Sequence, residues 1–205
     1  ERIDATRESG KLAYLRPDGK SQVSVVYENG KPVAIDSVVI AVPHGERITP
    51  KQVKHDVYGK IVKPVLAKYG YSIPENQLIV NGTGAWYIGG PTSDTGLTGR
   101  KIVVDTYGGY APVGGGAFSG KDPTKVDRSG AYGARYIAKN IVAAGLADKA
   151  EVRLAYCIGI KKPLMQEVET FGTEKKSKKL INEFANNLLD TSVRGIIDAL
   201  HLRKP

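Results

Sequence analysis

Apolar and polar residues alternate through residues 21–27, the period-2 pattern of a half-buried strand, and residues 33–42 predict a returning strand. Between them Asn29-Gly30 supplies two residues that tolerate positive φ, as a two-residue hairpin turn requires. The period then changes. Val53, Val57, Ile61 and Val65 recur at helical spacing behind Thr49-Pro50, an N-cap followed by proline at the first helical position, and Gly70 marks the stop. Residues 77–81 predict a further strand.

From Gly82 to Gly120 the pattern dissolves into glycine, interrupted only by an apolar run at residues 101–104 that predicts a strand. So much glycine inside a compact domain is costly in backbone entropy, and loops of this kind commonly carry function. A second helix is predicted from about Asp127, with Ala131, Ala134, Ala138, Ile141 and Val142 as its buried stripe and Gly145 as its C-cap. Strands at 152–160 and 166–171 and helices at 176–189 and 192–200 complete the chain. Strand–strand–helix–strand thus occurs twice, dividing near Tyr87. The expected fold is α+β, in two units at 1–86 and 87–205, each with helices packed on one sheet face.

Composition narrows the function. The 205 residues are 41% hydrophobic and 25% charged, enough for a buried core, and no apolar run reaches the ~20 residues that span a bilayer. The chain opens at Glu1, and its only methionine is Met165, which predicts an internal or processed piece of a longer protein. One cysteine, Cys157, excludes an intrachain disulfide and fits a reducing cytosol; its apolar surroundings predict a core residue. No Cys/His spacing predicts a zinc site. The net charge of +9 fits a phosphate-bearing partner, although the basic residues are scattered. Their densest cluster, Lys175, Lys176, Lys178 and Lys179, reads as a solvated face.

The chemistry concentrates in Gly114-Gly115-Gly116-Ala117-Phe118-Ser119-Gly120-Lys121-Asp122-Pro123-Thr124-Lys125-Val126-Asp127. Gly115 through Lys121 fits the first seven positions of a phosphate-binding P-loop. The eighth needs Ser or Thr for magnesium; here Asp122 stands there, followed by Pro123, so the run does not predict a standard P-loop NTPase. Lys121 and Lys125 still place two ammonium groups where glycines let the backbone approach an anion closely. Asp127 could hold a bridging Mg²⁺ or cap the next helix. Upstream, Arg100 and Lys101 suit a phosphate clamp or a solubilising strand edge, and Asp94 suits a polar ligand or a turn.

Longer motifs resemble a known family. Ile88-Gly89-Gly90-Pro91, the run from Gly96 to Gly109, and the run from Gly114 to Ser129 are similar to motifs of the S-adenosylmethionine synthetases. Leu15-Arg16-Pro17-Asp18-Gly19-Lys20-Ser21-Gln22-Val23 and Val168-Glu169-Thr170-Phe171-Gly172-Thr173 match an earlier and a later segment of the same family. The resemblance implies the middle domain and most of the C-terminal one, out of three similar α+β domains, with the N-terminal domain and a final tail outside it. It implies ATP and L-methionine as substrates, Mg²⁺ and K⁺ as cofactors, a cytoplasmic homodimer or homotetramer with shared active sites, and no nucleic acid or membrane partner.

By that resemblance Asp18 and Lys20 belong to the ATP site, and Asp94 is shared between nucleotide and methionine. Arg100, Lys101 and Lys121 handle the polyphosphate and carry the catalytic effect. Ala117 lines the nucleotide site, Lys125 and Ile158 serve methionine, and Asp127 serves magnesium. Where the family commonly has a basic residue followed by phenylalanine, this chain has Ala85-Trp86. Trp86 keeps an aromatic face for adenine, while Ala85 removes a charged contact. Gly82 and Tyr87 also depart from the usual pattern. In the implied reaction the thioether sulfur of methionine attacks C5′ of ATP and expels tripolyphosphate, which is then hydrolysed. A neutral sulfur nucleophile needs no general base, so His44, His55 and His201 read as structural or exposed. Two other readings stand beside this one: a non-catalytic piece of the synthetase, and a basic RNA-binding α+β module that would need Tyr107, Tyr110 and Phe118 to stack on bases.

Overall fold

A computed structural model describes residues 1–204, in two compact units, Glu1–Gly96 and Leu97–Pro205. Helices and sheets are mixed in both, the α+β class that the sequence predicts.

The first unit opens with a helix, α1 (Arg2–Glu8), that the apolar pattern does not predict. Strands β1 (Lys20–Glu28) and β2 (Lys31–Ala41) form the expected antiparallel hairpin. Asn29 and Gly30 both take positive φ, 50° and 76°, as a turn matched to strand twist demands. β3 (Leu78–Val80) adds parallel to β2, giving the order β1-β2-β3. Val38, Ile40 and Val42 alternate inward along the central strand and meet Val53, Val57, Ile61 and Leu66 from the helical layer. β1 is not the half-buried strand expected. It is exposed along nearly its whole length, because it is the sheet edge and the buried side chains of the sheet come from β2 and β3.

The predicted helix exists, but in three pieces. α2 (Pro50–Val57) starts as expected, with Thr49 Oγ1 accepting from Gln52 N at 3.2 Å. A π turn (Tyr58–Val62) follows, then α3 (Lys63–Ala67). Pro64 explains the break: it has no N–H to offer the Lys60 carbonyl, which instead accepts from Arg2 Nε at 3.4 Å. The extra residue of the π turn rotates the apolar face, so Val62 and Leu66 are buried and Val65 only half so. At the end of β2, Asn81 imitates a strand. Its Oδ1 accepts from Val42 N at 2.8 Å and its Nδ2 donates to Val42 O at 3.0 Å.

One carboxylate in this layer links stability to pH. Burial pushes the Asp56 pKa up, but hydrogen bonds from Gln52 and Tyr14 and the Lys60 ammonium outweigh it and hold the carboxyl below its usual range. A folded-state pKa below the unfolded one gives stability that is complete above the unfolded pKa and is lost as pH falls through the folded one. Asp56→Asn should therefore flatten the acid limb: between pH 7 and 3, wild type should lose about 1 kcal/mol more than the variant. Urea midpoints across that range test it, and parallel curves would refute it.

In the second unit the predicted strand at 101–104 is absent. Residues 102–109 form consecutive turns, with Asp105 N bonded to Lys101 O at 2.9 Å and Gly108 N to Val103 O at 2.9 Å. A strand needs a neighbour for its backbone ladder; none lies beside this run among the described residues, so its polar groups pair locally. The twofold strand–strand–helix–strand repeat fails with it. The observed order is α4 (Val126–Ala143), β4 (Glu151–Ala155), β5 (Met165–Glu169), α5 (Lys178–Leu188), α6 (Val193–Ala199). β4 and β5 pair antiparallel and stop short of the predicted 160 and 171.

α4 ends where expected. Gly145 (φ 67°) completes a two-bond cap, Gly145 N to Val142 O and Leu146 N to Ile141 O. Its buried face is not the alanine stripe: Ser129, Gly130, Gly133, Ile137 and Ile141 are buried, the alanines are half-buried and Val142 is exposed. Gly133 turns inward because Ile196 of α6 occupies the space of a β-carbon, 2.9 Å away. Ile137, Ile141, Ile181, Ala185 and Ile196 make the core. α5 and α6 are capped by Ser177 and Ser192, whose hydroxyls accept from Leu180 N and Gly195 N. Cys157 is exposed, not a core residue, because β4 ends two residues before it. No described helix is long and apolar enough to cross a membrane.

Candidate functional site

The candidate residues fall in both units. In the first, Asp18 sits half-buried at φ 84°, just ahead of Lys20 at the start of β1. The Lys20 ammonium lies 6.0 Å from the Trp86 ring centroid, so the structure brings these two together. Three bonds hold the Trp86 segment. His44 N donates to Trp86 O at 2.9 Å, Arg16 Nη1 to Tyr87 O at 2.6 Å, and Trp86 Nε1 to Ile88 O at 2.6 Å. Gly89 then passes so close to Pro43 and the Pro17 carbonyl that an added β-carbon would lie 2.4 and 2.5 Å from them. The Asp94 carboxylate accepts from Gly96 N at 2.9 Å, the turn-stabilising option. His44 is buried edge-on to Tyr87, while His55 and His201 are exposed.

In the second unit the glycine-rich loop closes onto the start of α4. The Lys121 ammonium lies 2.6 Å from Asp127 Oδ2. Gly116 packs directly on that carboxylate: a β-carbon there would be 2.5 Å from both Cβ and Cγ of Asp127. Asp127 is not the N-cap. The helix starts at Val126 with Lys125 in the cap position, so the Asp127 carboxylate is not spent on capping; it pairs with Lys121 and remains favourable to the helix dipole. Lys125 pairs with Asp122 at 3.6 Å. The hydroxyl and N–H of Thr124 both bond Asp122 and hold its carboxyl below the usual range. Proximity of Gly99 to Ala117 brings the Arg100-Lys101 segment to the same loop, since a β-carbon on Gly99 would lie 2.7 Å from Ala117 Cβ. Arg100 and Lys101 are exposed, and neither forms an ion pair among the described residues.

Ile158 is fully exposed on the loop between β4 and β5, with no packing that ties it to the glycine-rich loop. Two side chains on the first turns of α4 that face the glycine-rich loop have no role predicted from the sequence: Arg128 and Tyr132, whose i, i+4 spacing on a predicted helix was the available signal. The structure therefore gathers two ammonium groups, two carboxylates and an arginine–lysine segment around side-chain-poor backbone. That combination can hold a polyphosphate and a bridging divalent cation.

Residues 1–86 match the family described as the S-adenosylmethionine synthetase central domain, and residues 88–205 match its C-terminal domain. The chain belongs to the S-adenosylmethionine synthetase family. Relatives named S-adenosylmethionine synthase are 52% identical in Sulfurovum sp. (strain NBC37-1), over 100% of this chain and 53% of the relative. In Crocosphaera subtropica the identity is 52%, over 99% of this chain and 51% of the relative. In Clostridium tetani it is 51%, over 100% and 52%. The chain thus spans about half the length of the curated relatives it matches.

Proposed function

We propose that these residues serve a methionine adenosyltransferase, which forms S-adenosylmethionine from ATP and L-methionine and releases phosphate and diphosphate. The observation that carries the reading is the closed loop at the start of α4, with Lys121 against Asp127 and the Arg100-Lys101 segment beside Ala117. In adenosyl transfer the barrier lies in the negative charge gathering on the departing tripolyphosphate, and preorganised cations lower it directly. Arg100, Lys101 and Lys121 supply them. Lys20 and Trp86 face each other as an adenosine clamp would require, and Asp18 joins them through family membership.

Magnesium fits the loop. Asp127 is a carboxylate outside the N-cap, packed on a residue without a side chain, and Mg²⁺ uses one or two carboxylates plus phosphate oxygens. When bound, the ion would neutralise phosphate charge beside Lys121. Among the described residues no cluster of three or more His, Cys, Asp or Glu is placed to hold a metal, and the proposal has phosphate oxygens and water complete the coordination. Potassium, the homodimer or homotetramer with shared sites, the cytoplasmic setting, and the methionine roles of Asp94, Lys125 and Ile158 enter the proposal through family membership.

The test is S-adenosylmethionine production from ATP and methionine by the 205-residue chain, alone and completed to a full-length polypeptide with the unmatched part of the Sulfurovum relative. Product from the full-length polypeptide supports the reading, whether or not the shorter chain is active. A folded full-length polypeptide that forms none, with magnesium and potassium supplied, overturns it.

A further inference from the structure

We propose that Arg128 is a positioning residue for Lys121: seated against Tyr132, its guanidinium ties the Lys121 carbonyl to α4 and so fixes where the Lys121 ammonium is presented. The inference rests on the polyphosphate reading of the loop. Arg128 Nη1 donates to Lys121 O at 2.7 Å. Nε of the same group points at the Tyr132 hydroxyl at 3.3 Å, and the guanidinium carbon lies 5.6 Å from the Tyr132 ring centroid. Tyr132 in turn meets Phe118 edge-on, with ring centroids 5.4 Å apart.

These contacts grip both corners of one turn. Lys121 N bonds Phe118 O at 3.1 Å, and Gly120 within that turn takes φ 77°. Phe118 is thus held by Tyr132 and Lys121 by Arg128, from positions one helical turn apart on α4. The surrounding charges show what the guanidinium is for. Lys121 pairs with Asp127 and Lys125 with Asp122, while Arg128 has no carboxylate partner among the described residues. A half-buried cation that bonds a carbonyl and a phenol is used for its donor geometry, not to cancel charge. Lysine has the charge but not the planar fork. The core of this unit does not include Arg128, so losing the tie should loosen the loop and spare the fold.

Four full-length polypeptides test this: wild type, Arg128→Lys, Lys121→Ala and the double variant. Each is assayed for kcat and KM, for binding of inorganic tripolyphosphate by calorimetry, and for its unfolding midpoint. Arg128→Lys should lower kcat about tenfold, weaken tripolyphosphate binding and leave the KM for methionine and the midpoint unchanged. In the Lys121→Ala background the same substitution should have little further effect, because the group it positions is gone. Wild-type behaviour from Arg128→Lys, an equal loss in both backgrounds, or a lowered midpoint would overturn the inference while leaving the adenosyl-transfer reading intact. A wild type that neither turns over nor binds tripolyphosphate would overturn that reading, and the inference with it.

Discussion

Lys121→Ala in the completed full-length polypeptide should lower turnover by roughly 10²–10³-fold, the usual cost of removing one preorganised group that stabilises transition-state charge. The effect should appear in kcat more than in the KM for methionine, since the sulfur nucleophile and the departing polyphosphate lie at opposite ends of the reacting bond. Stability should barely change. Lys121 and Asp127 are 31% and 53% exposed, and ion pairs in such positions contribute little to folding. The ammonium is thus expendable for the fold, as the proposed polyphosphate role requires. Steady-state kinetics beside an unfolding curve decide the matter: a folded variant with unchanged turnover removes Lys121 from the mechanism.

Legibility differed between helices, strands and site for identifiable reasons. Caps and turns depend on one or two residues and local backbone, so Thr49, Gly145 and Asn29-Gly30 were all readable from the chain. Burial depends on what arrives from elsewhere. Ala131, Ala134 and Ala138 looked like a core stripe because apolar residues are counted by side chain, yet the closest packing is at Gly130 and Gly133, which have none. Tyr156 and Ile196 fill those gaps. The run at 101–104 has strand-forming residues but no strand beside it, and propensity does not supply a partner. Pro64 was visible in the sequence, but its consequence, a π turn that shifts the apolar face by one residue, needed three dimensions. At the candidate site, residue types pointed to an anion while the pairings stayed hidden. Lys121 and Asp127 lie six apart across an irregular loop, a spacing that no helix or strand rule connects.

Gly116→Ala should cost about 10²-fold in turnover of the full-length polypeptide, a loss expected from a displacement of about 1 Å at the reacting groups. Three consecutive glycines make the argument separable. Gly114 has ordinary φ and nothing within 4 Å of an added β-carbon, so Gly114→Ala should be harmless. Gly115 takes φ 85°, a left-handed conformation that costs an L-residue roughly 1–2 kcal/mol, with open space around it. Gly116 has no such strain, and only the space is lacking: its new methyl would lie 2.5 Å from Asp127 Cβ and Cγ and 2.8 Å from Oδ1. Cβ of Asp127 is fixed to the first turn of α4 and cannot swing aside as a long side chain would. The loop must therefore back away, carrying its glycine-rich backbone with it and separating Lys121 from the carboxylate. Because Asp127 is exposed at the helix start and the unit's core lies further along α4, the unfolding midpoint should stay near wild type. The informative comparison is Gly116→Ala against Gly114→Ala in turnover and in the magnesium concentration giving half-maximal rate. If the two variants match in both, the close approach of Gly116 to Asp127 has no part in the chemistry.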